Sequence, residues 1–93
     1  MFGMAVVQYW QLRDKNRREV DFLIVRDGCP WILVESKTQS RVLSSALQDF
    51  QRKLKVPYAF QVLFDAPYEP IDCFSFEGRS VIVPARTFLS QLV

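Results

Sequence analysis

Asp21 and, fourteen residues further on, Glu35-Ser36-Lys37 form the pattern in this chain that a reaction could use. Each charged group is embedded in a run that otherwise reads as buried strand. The two runs are Glu19-Val20-Asp21-Phe22-Leu23-Ile24-Val25 and Trp31-Ile32-Leu33-Val34-Glu35-Ser36-Lys37. A carboxylate buried without a partner costs several kcal/mol, so core strands normally exclude it. A divalent cation between the two carboxylates would compensate that cost. Magnesium takes oxygen ligands at about 2.0–2.1 Å and keeps several waters, so two carboxylates and one backbone carbonyl, that of Ser36, suffice. Lys37 would then stand beside the metal-bound water, orienting the nucleophile or stabilising negative charge that develops on a phosphate. The chemistry this suits is phosphodiester hydrolysis. The competing reading is a surface ion pair between Glu35 and Lys37, with Asp21 marking a strand end. Aliphatic residues on both faces of the two runs argue against such an exposed edge.

The elements that must position these groups follow from periodicity and turn chemistry. Residues 4–12 are rich in strand formers, and the polar run 13–18 reads as a hairpin turn. A second strand is expected over 19–26, ending at the turn signal Asp27-Gly28, and a third over 31–37. Short connections make these an antiparallel three-strand meander. Alternate residues of a strand share a face, which places Glu19 and Asp21 with Leu23, and Glu35 and Lys37 with Leu33. Adjacent strands lie about 4.8 Å apart, so carboxylates on a shared face could converge.

Beyond the meander, Ser40 is the expected helix N-cap. Leu43, Ala46, Leu47, Phe50 and Leu54 recur at helical spacing, and the helix must end before Val56-Pro57. Residues 58–64, apolar apart from Gln61 and Tyr58's hydroxyl, form a strand buried on both faces. The crossover is long enough for this strand to run parallel to the third. Short strands at 73–76 and 80–83 and a closing helix from Pro84 to Leu92 complete the order. The fold class is α/β, with a mixed sheet, one crossover helix and a C-terminal helix.

Composition bounds the rest. With 93 residues, 49% hydrophobic and 24% charged, the chain fits one small domain. It contains no histidine, which excludes a Ser-His-Asp triad, a Cys-His dyad and histidine-bearing zinc sites. Cys29 and Cys73 show no CxxC spacing and read as two free thiols of a cytoplasmic protein. The start lacks the pattern of a signal peptide, and no apolar run approaches the roughly 20 residues of a membrane helix. A net charge of +2 does not by itself announce nucleic-acid binding. Arg13, Lys15, Arg17 and Arg18, and again Arg52, Lys53 and Lys55, nevertheless form basic clusters that could meet phosphates. The aromatic residues Phe2, Tyr9 and Trp10 near the start make a homodimer an expectation.

These residues resemble the PD-(D/E)xK nuclease superfamily, in which an Asp on one strand precedes a Glu-x-Lys on the next. Asp21 corresponds to the first element and Glu35-Ser36-Lys37 to the second, followed by a crossover helix and a further strand. Tyr9-Trp10, Arg18 through Ile24 and Val34 through Lys37 further resemble a prokaryotic family of uncharacterised domains that follow AAA-type ATPase modules. Over residues 5–65 the resemblance implies a restriction-endonuclease-like core that lacks its opening helix, as a piece of a longer ATPase-linked protein. It implies Asp21, Glu35 and Lys37 as catalytic residues, with Mg2+ or Mn2+ held by Asp21, Glu35 and the Ser36 carbonyl. Glu19 is an accessory candidate. So is Gln48, with Gln51 beside it, because some superfamily members use a glutamine on the crossover helix. The implied partners are DNA and an ATPase module. The other readings are a degenerate nuclease-like domain that retains the metal-site residues, and a non-catalytic module that uses the same fold to bind DNA or protein.

Overall fold

A computed structural model describes residues 7–13 and 19–92, with side chains from Val20 onward. The turn at 14–18, its basic side chains and Phe2 lie outside the described residues. So do the side chains of Tyr9, Trp10, Arg13 and Glu19. Five strands form one sheet in the order β1-β2-β3-β4-β5: Val7–Arg13, Glu19–Arg26, Cys29–Lys37, Tyr58–Leu63 and Ser80–Pro84. The first three make the expected antiparallel meander, and β3, β4 and β5 run parallel. Helix α1 (Ser45–Leu54) crosses from β3 to β4, and α2 (Ala85–Leu92) follows β5 directly.

The β2–β3 hairpin closes on Asp27-Gly28, where both residues take positive φ, 53° and 79°. Two such residues make the primed turn whose twist matches the strands, and an Asp-Gly pair is well suited to it. Because Arg26 pairs with Cys29, β3 begins two residues earlier than the apolar run suggests. Pro30 is tolerated there, at the start of the strand.

Each face of the sheet carries one helix. Leu33, Val20, Leu23 and Ala59 pack with Leu47 of α1, while Ile32, Val34, Phe60, Val62 and Val83 pack with Phe88 of α2. Consecutive residues of β3 thus feed opposite cores. This is why β3 and β4 read as continuous apolar runs, with strands covered on both sides.

Helix α1 starts at Ser44, not Ser40. The Ser44 hydroxyl accepts from the Leu47 N–H at 3.2 Å, as an N-cap does. Ser40 instead accepts from the Val42 N–H in a local turn. The helix ends at Lys55 in the left-handed conformation (φ 54°), with its N–H bonded to the Gln51 carbonyl. A side chain is disfavoured there and glycine is not. Lys55→Gly is therefore expected to raise stability by about 0.5–1 kcal/mol, read as an increase in the urea midpoint at unchanged slope.

Residues 73–75 form a 3-10 turn, not a strand. Asp72 caps it, and Phe74 packs edge-on against Tyr58 and Phe60. The loop before it is tied to α2. Thr87 exchanges two hydrogen bonds with the Glu69 backbone, and Gln91 binds the Cys73 N–H and the Ile71 carbonyl. Both cysteines are free, Cys29 exposed and Cys73 fully buried. Burial first, and then the neighbouring Asp72 carboxylate, push the Cys73 thiol above its usual pKa. Maleimide at neutral pH is expected to label Cys29 in the native protein and Cys73 only after unfolding. Mass spectrometry of the labelled protein reads this directly, and rapid native labelling of Cys73 would contradict the packing of α2.

Candidate functional site

The strand β2 reaches its charged residue through a bulge. Its pairing with β1 steps from Trp10↔Leu23 to Leu12↔Val20, so Asp21 and Phe22 together stand opposite one residue. The extra residue breaks the alternation. Val20 and Leu23, three apart, enter the same core under α1. The parity that groups Asp21 with Leu23 on one face does not hold across the bulge, because a bulge re-aims the side chains it carries.

Asp21 Oδ2 turns to Ser36. It accepts from the Ser36 N–H at 2.7 Å and from the Ser36 hydroxyl at 2.5 Å. The backbone geometry of β3 explains the choice. The Lys37 carbonyl faces β4, where it accepts from the Phe64 N–H. Backbone groups of successive strand residues face opposite neighbours, so the Ser36 N–H and carbonyl both face β2. The last β2–β3 pair is Phe22↔Val34. Beyond it, the Asp21 carboxylate takes up the Ser36 N–H where the ladder ends.

Glu35 is arranged differently. It is only 6% exposed and points with Leu33 into the α1 side of the sheet. Its Oε1 accepts from the Ser44 hydroxyl at 3.1 Å, at the N-terminus of α1. The positive end of the helix dipole is a favourable neighbour for a carboxylate. Its Oε2 is buried and, among the described residues, has no hydrogen-bond partner. Lys37 Nζ lies 3.9 Å from that oxygen, too far for a hydrogen bond, with its own side chain 45% exposed.

Gln61 lies beside Glu35 in the parallel β3–β4 register and is fully buried. Its Oε1 accepts from the Ser44 N–H at 2.8 Å, and its Nε2 donates to the carbonyls of Ser40 and Val42 at 3.1 and 2.9 Å. One amide thereby holds the segment leading into α1 and seats Ser44 over Glu35.

The four expected residues therefore fall into two pairs: Asp21 with Ser36, and Glu35 with Lys37. Among the described residues, no group of three or more His, Cys, Asp or Glu side chains comes together. Asp21 and Glu35 share no contact among the described residues, so a cation held by both, with the Ser36 carbonyl and water, would require Asp21 to turn from Ser36. The buried Glu35 oxygen, which has an ion pair but no hydrogen bond, fits that role, because a buried carboxylate oxygen without a hydrogen-bond donor is otherwise a cost. Of the accessory candidates, Glu19 has only its backbone described, paired with Arg13. Gln48 is exposed and lines a cleft with Arg52, Lys55 and Arg79. Gln51 is buried, donating to the Pro57 carbonyl and accepting from the Ser80 hydroxyl at 2.7 Å, and so ties α1 to β5.

Sequence reading missed Ser44 and Gln61 as site residues. The available signal was Gln61 itself, an amide in a strand of otherwise apolar core side chains. On the opposite face, Ser36 borders an apolar groove of about 290 Å3 beside Phe22, Phe64 and Leu89. Among the described residues, no helix is long and apolar enough to cross a membrane.

No curated protein and no solved structure matches the chain. One family model does, over residues 3–84, a span that contains β1 through β5 and every residue of the two pairs. The chain belongs to the family described as a domain of unknown function (DUF4143).

Proposed function

We propose that this domain is a divalent-cation-dependent nuclease of the PD-(D/E)xK type, or retains that site in a nucleic-acid-handling role. The observation that carries the reading is the buried Glu35 Oε2 at the end of β3, which has no hydrogen bond among the described residues and only a 3.9 Å ion pair to Lys37. Asp21 and Glu35 would hold Mg2+ or Mn2+, with the Ser36 carbonyl as third protein ligand. A bound dication supplies Lewis acidity and a water of lowered pKa. Lys37, half in solvent, can swing its ammonium to a phosphate oxygen or to the attacking water. The basic residues Arg52 and Lys55 offer contacts to the nucleic-acid backbone, with DNA the expected polymer. An AAA-type ATPase module is the expected companion, and a second copy of the chain a further one.

The test is a titration with Mn2+ followed by incubation with supercoiled plasmid. Wild type is expected to bind Mn2+ and nick DNA. Lys37→Ala should keep the metal and lose cleavage. Salt-dependent DNA binding that survives Glu35→Gln, without nicking by wild type, would favour a non-catalytic binding module. A protein that neither binds Mn2+ nor nicks DNA sinks the nuclease reading.

A further inference from the structure

The geometry points to Ser44 as the residue that sets which cation the Glu35 site accepts, with Gln61 as the clamp that holds Ser44 in place. This inference rests on the proposed metal site and goes beyond it. The Ser44 hydroxyl accepts from the Leu47 N–H, so its own proton is free to be donated, and it goes to Glu35 Oε1. Among the described residues, that leaves Oε2 as the carboxylate oxygen without a hydrogen bond. Glu35 is thereby presented as a monodentate ligand. The clamp is rigid: Gln61 is fully buried and uses its carbonyl and both amide protons on the Ser40–Ser44 backbone.

Monodentate presentation discriminates between cations. Mg2+ and Mn2+ are satisfied by few protein oxygens in an octahedron completed by water. Ca2+ takes six to eight oxygens and readily uses both atoms of a carboxylate. With Oε1 committed to Ser44, a larger cation loses the second Glu35 oxygen. Outer-shell hydrogen bonds that orient a ligand typically contribute about 10–100-fold to metal affinity.

The experiment compares wild type, Ser44→Gly and Ser44→Thr by calorimetric titration with Mn2+ and, separately, Ca2+. Glycine is nearly as good an N-cap as serine, so Ser44→Gly removes the bond to Glu35 while largely sparing α1. Circular dichroism and the urea midpoint check this. The expected result is Mn2+ affinity about tenfold weaker in Ser44→Gly, a smaller Mn2+-over-Ca2+ preference, and recovery of both in Ser44→Thr. A helix cap without a role at the metal would not change the ratio of the two affinities. An unchanged ratio in Ser44→Gly, or no recovery in Ser44→Thr, overturns the role of Ser44 and leaves the metal site standing. Absence of Mn2+ binding by wild type overturns the site itself and this inference with it.

Discussion

Glu35→Gln is expected to weaken Mn2+ binding by more than about a hundredfold while leaving the fold as stable as wild type, or slightly more stable. The two outcomes have one cause. The glutamine keeps an oxygen that can accept from the Ser44 hydroxyl, now at 3.1 Å from Glu35 Oε1. It removes a negative charge from a side chain that is only 6% exposed. Burying a charge carries a desolvation cost that its attractions must repay. Here the repayment is one neutral hydrogen bond, the positive end of α1 and an ammonium 3.9 Å away. Lys37 is half exposed, so it returns to water when its partner is neutralised. Losing a direct ligand should cost more than the 10–100-fold typical of an outer-shell change. Calorimetric titration with Mn2+ and a thermal melt, run on the same preparation, check both halves. Wild-type Mn2+ affinity in the variant would place the ion elsewhere. A large loss of stability would make Glu35 a structural ion-pair residue.

Gln61→Leu should do the opposite and lower stability by about 2–4 kcal/mol. Leucine matches the side chain in size, so the cost is polar. It leaves the Ser44 N–H and the carbonyls of Ser40 and Val42 without their partner. Each hydrogen bond contributes about 0.5–1.5 kcal/mol, more where the abandoned group stays dry. The Ser40 and Val42 residues are exposed and can recruit water, which keeps the total below that of three buried orphans. Urea denaturation gives the magnitude, and amide hydrogen exchange at residues 42–47 gives the location. A change below about 0.5 kcal/mol would mean the amide is not the clamp described. The contrast matters: two neighbouring buried polar residues on adjacent strands are expected to respond in opposite senses. Glu35 is under-satisfied, and Gln61 has its hydrogen-bonding groups engaged.

Much of the architecture was legible because local chemistry and long-range packing agree. Asp27-Gly28 is a turn in any context, since few other pairs accept two positive φ values. The unbroken apolar runs of β3 and β4 demand cover on both faces. The length of the intervening segment then makes those two strands parallel. The start of α1 lies four residues beyond the cap that composition suggests. Ser40 and Ser44 are equally good caps by composition, and what separates them is the Gln61 amide, seventeen residues beyond the true cap. Cys73–Phe76 read as strand because β propensity cannot distinguish a strand from an aromatic plug docked on a sheet, which is what Phe74 provides.

The α/β order of elements and the identity of the charged residues at the ends of β2 and β3 are readable in the amino-acid sequence. Those follow from hydrophobic period, turn residues and the cost of burying charge, all of which act within a few residues. Where those charges point is set by contacts between distant elements. A bulge that depends on pairing with β1 turns Asp21 to Ser36. A cap, seated by an amide from another strand, takes one oxygen of Glu35 and leaves the other without a hydrogen bond among the described residues. Hydrogen-bond partners across strands and helices are set by three-dimensional register, and a one-residue slip in that register redirects every side chain beyond it.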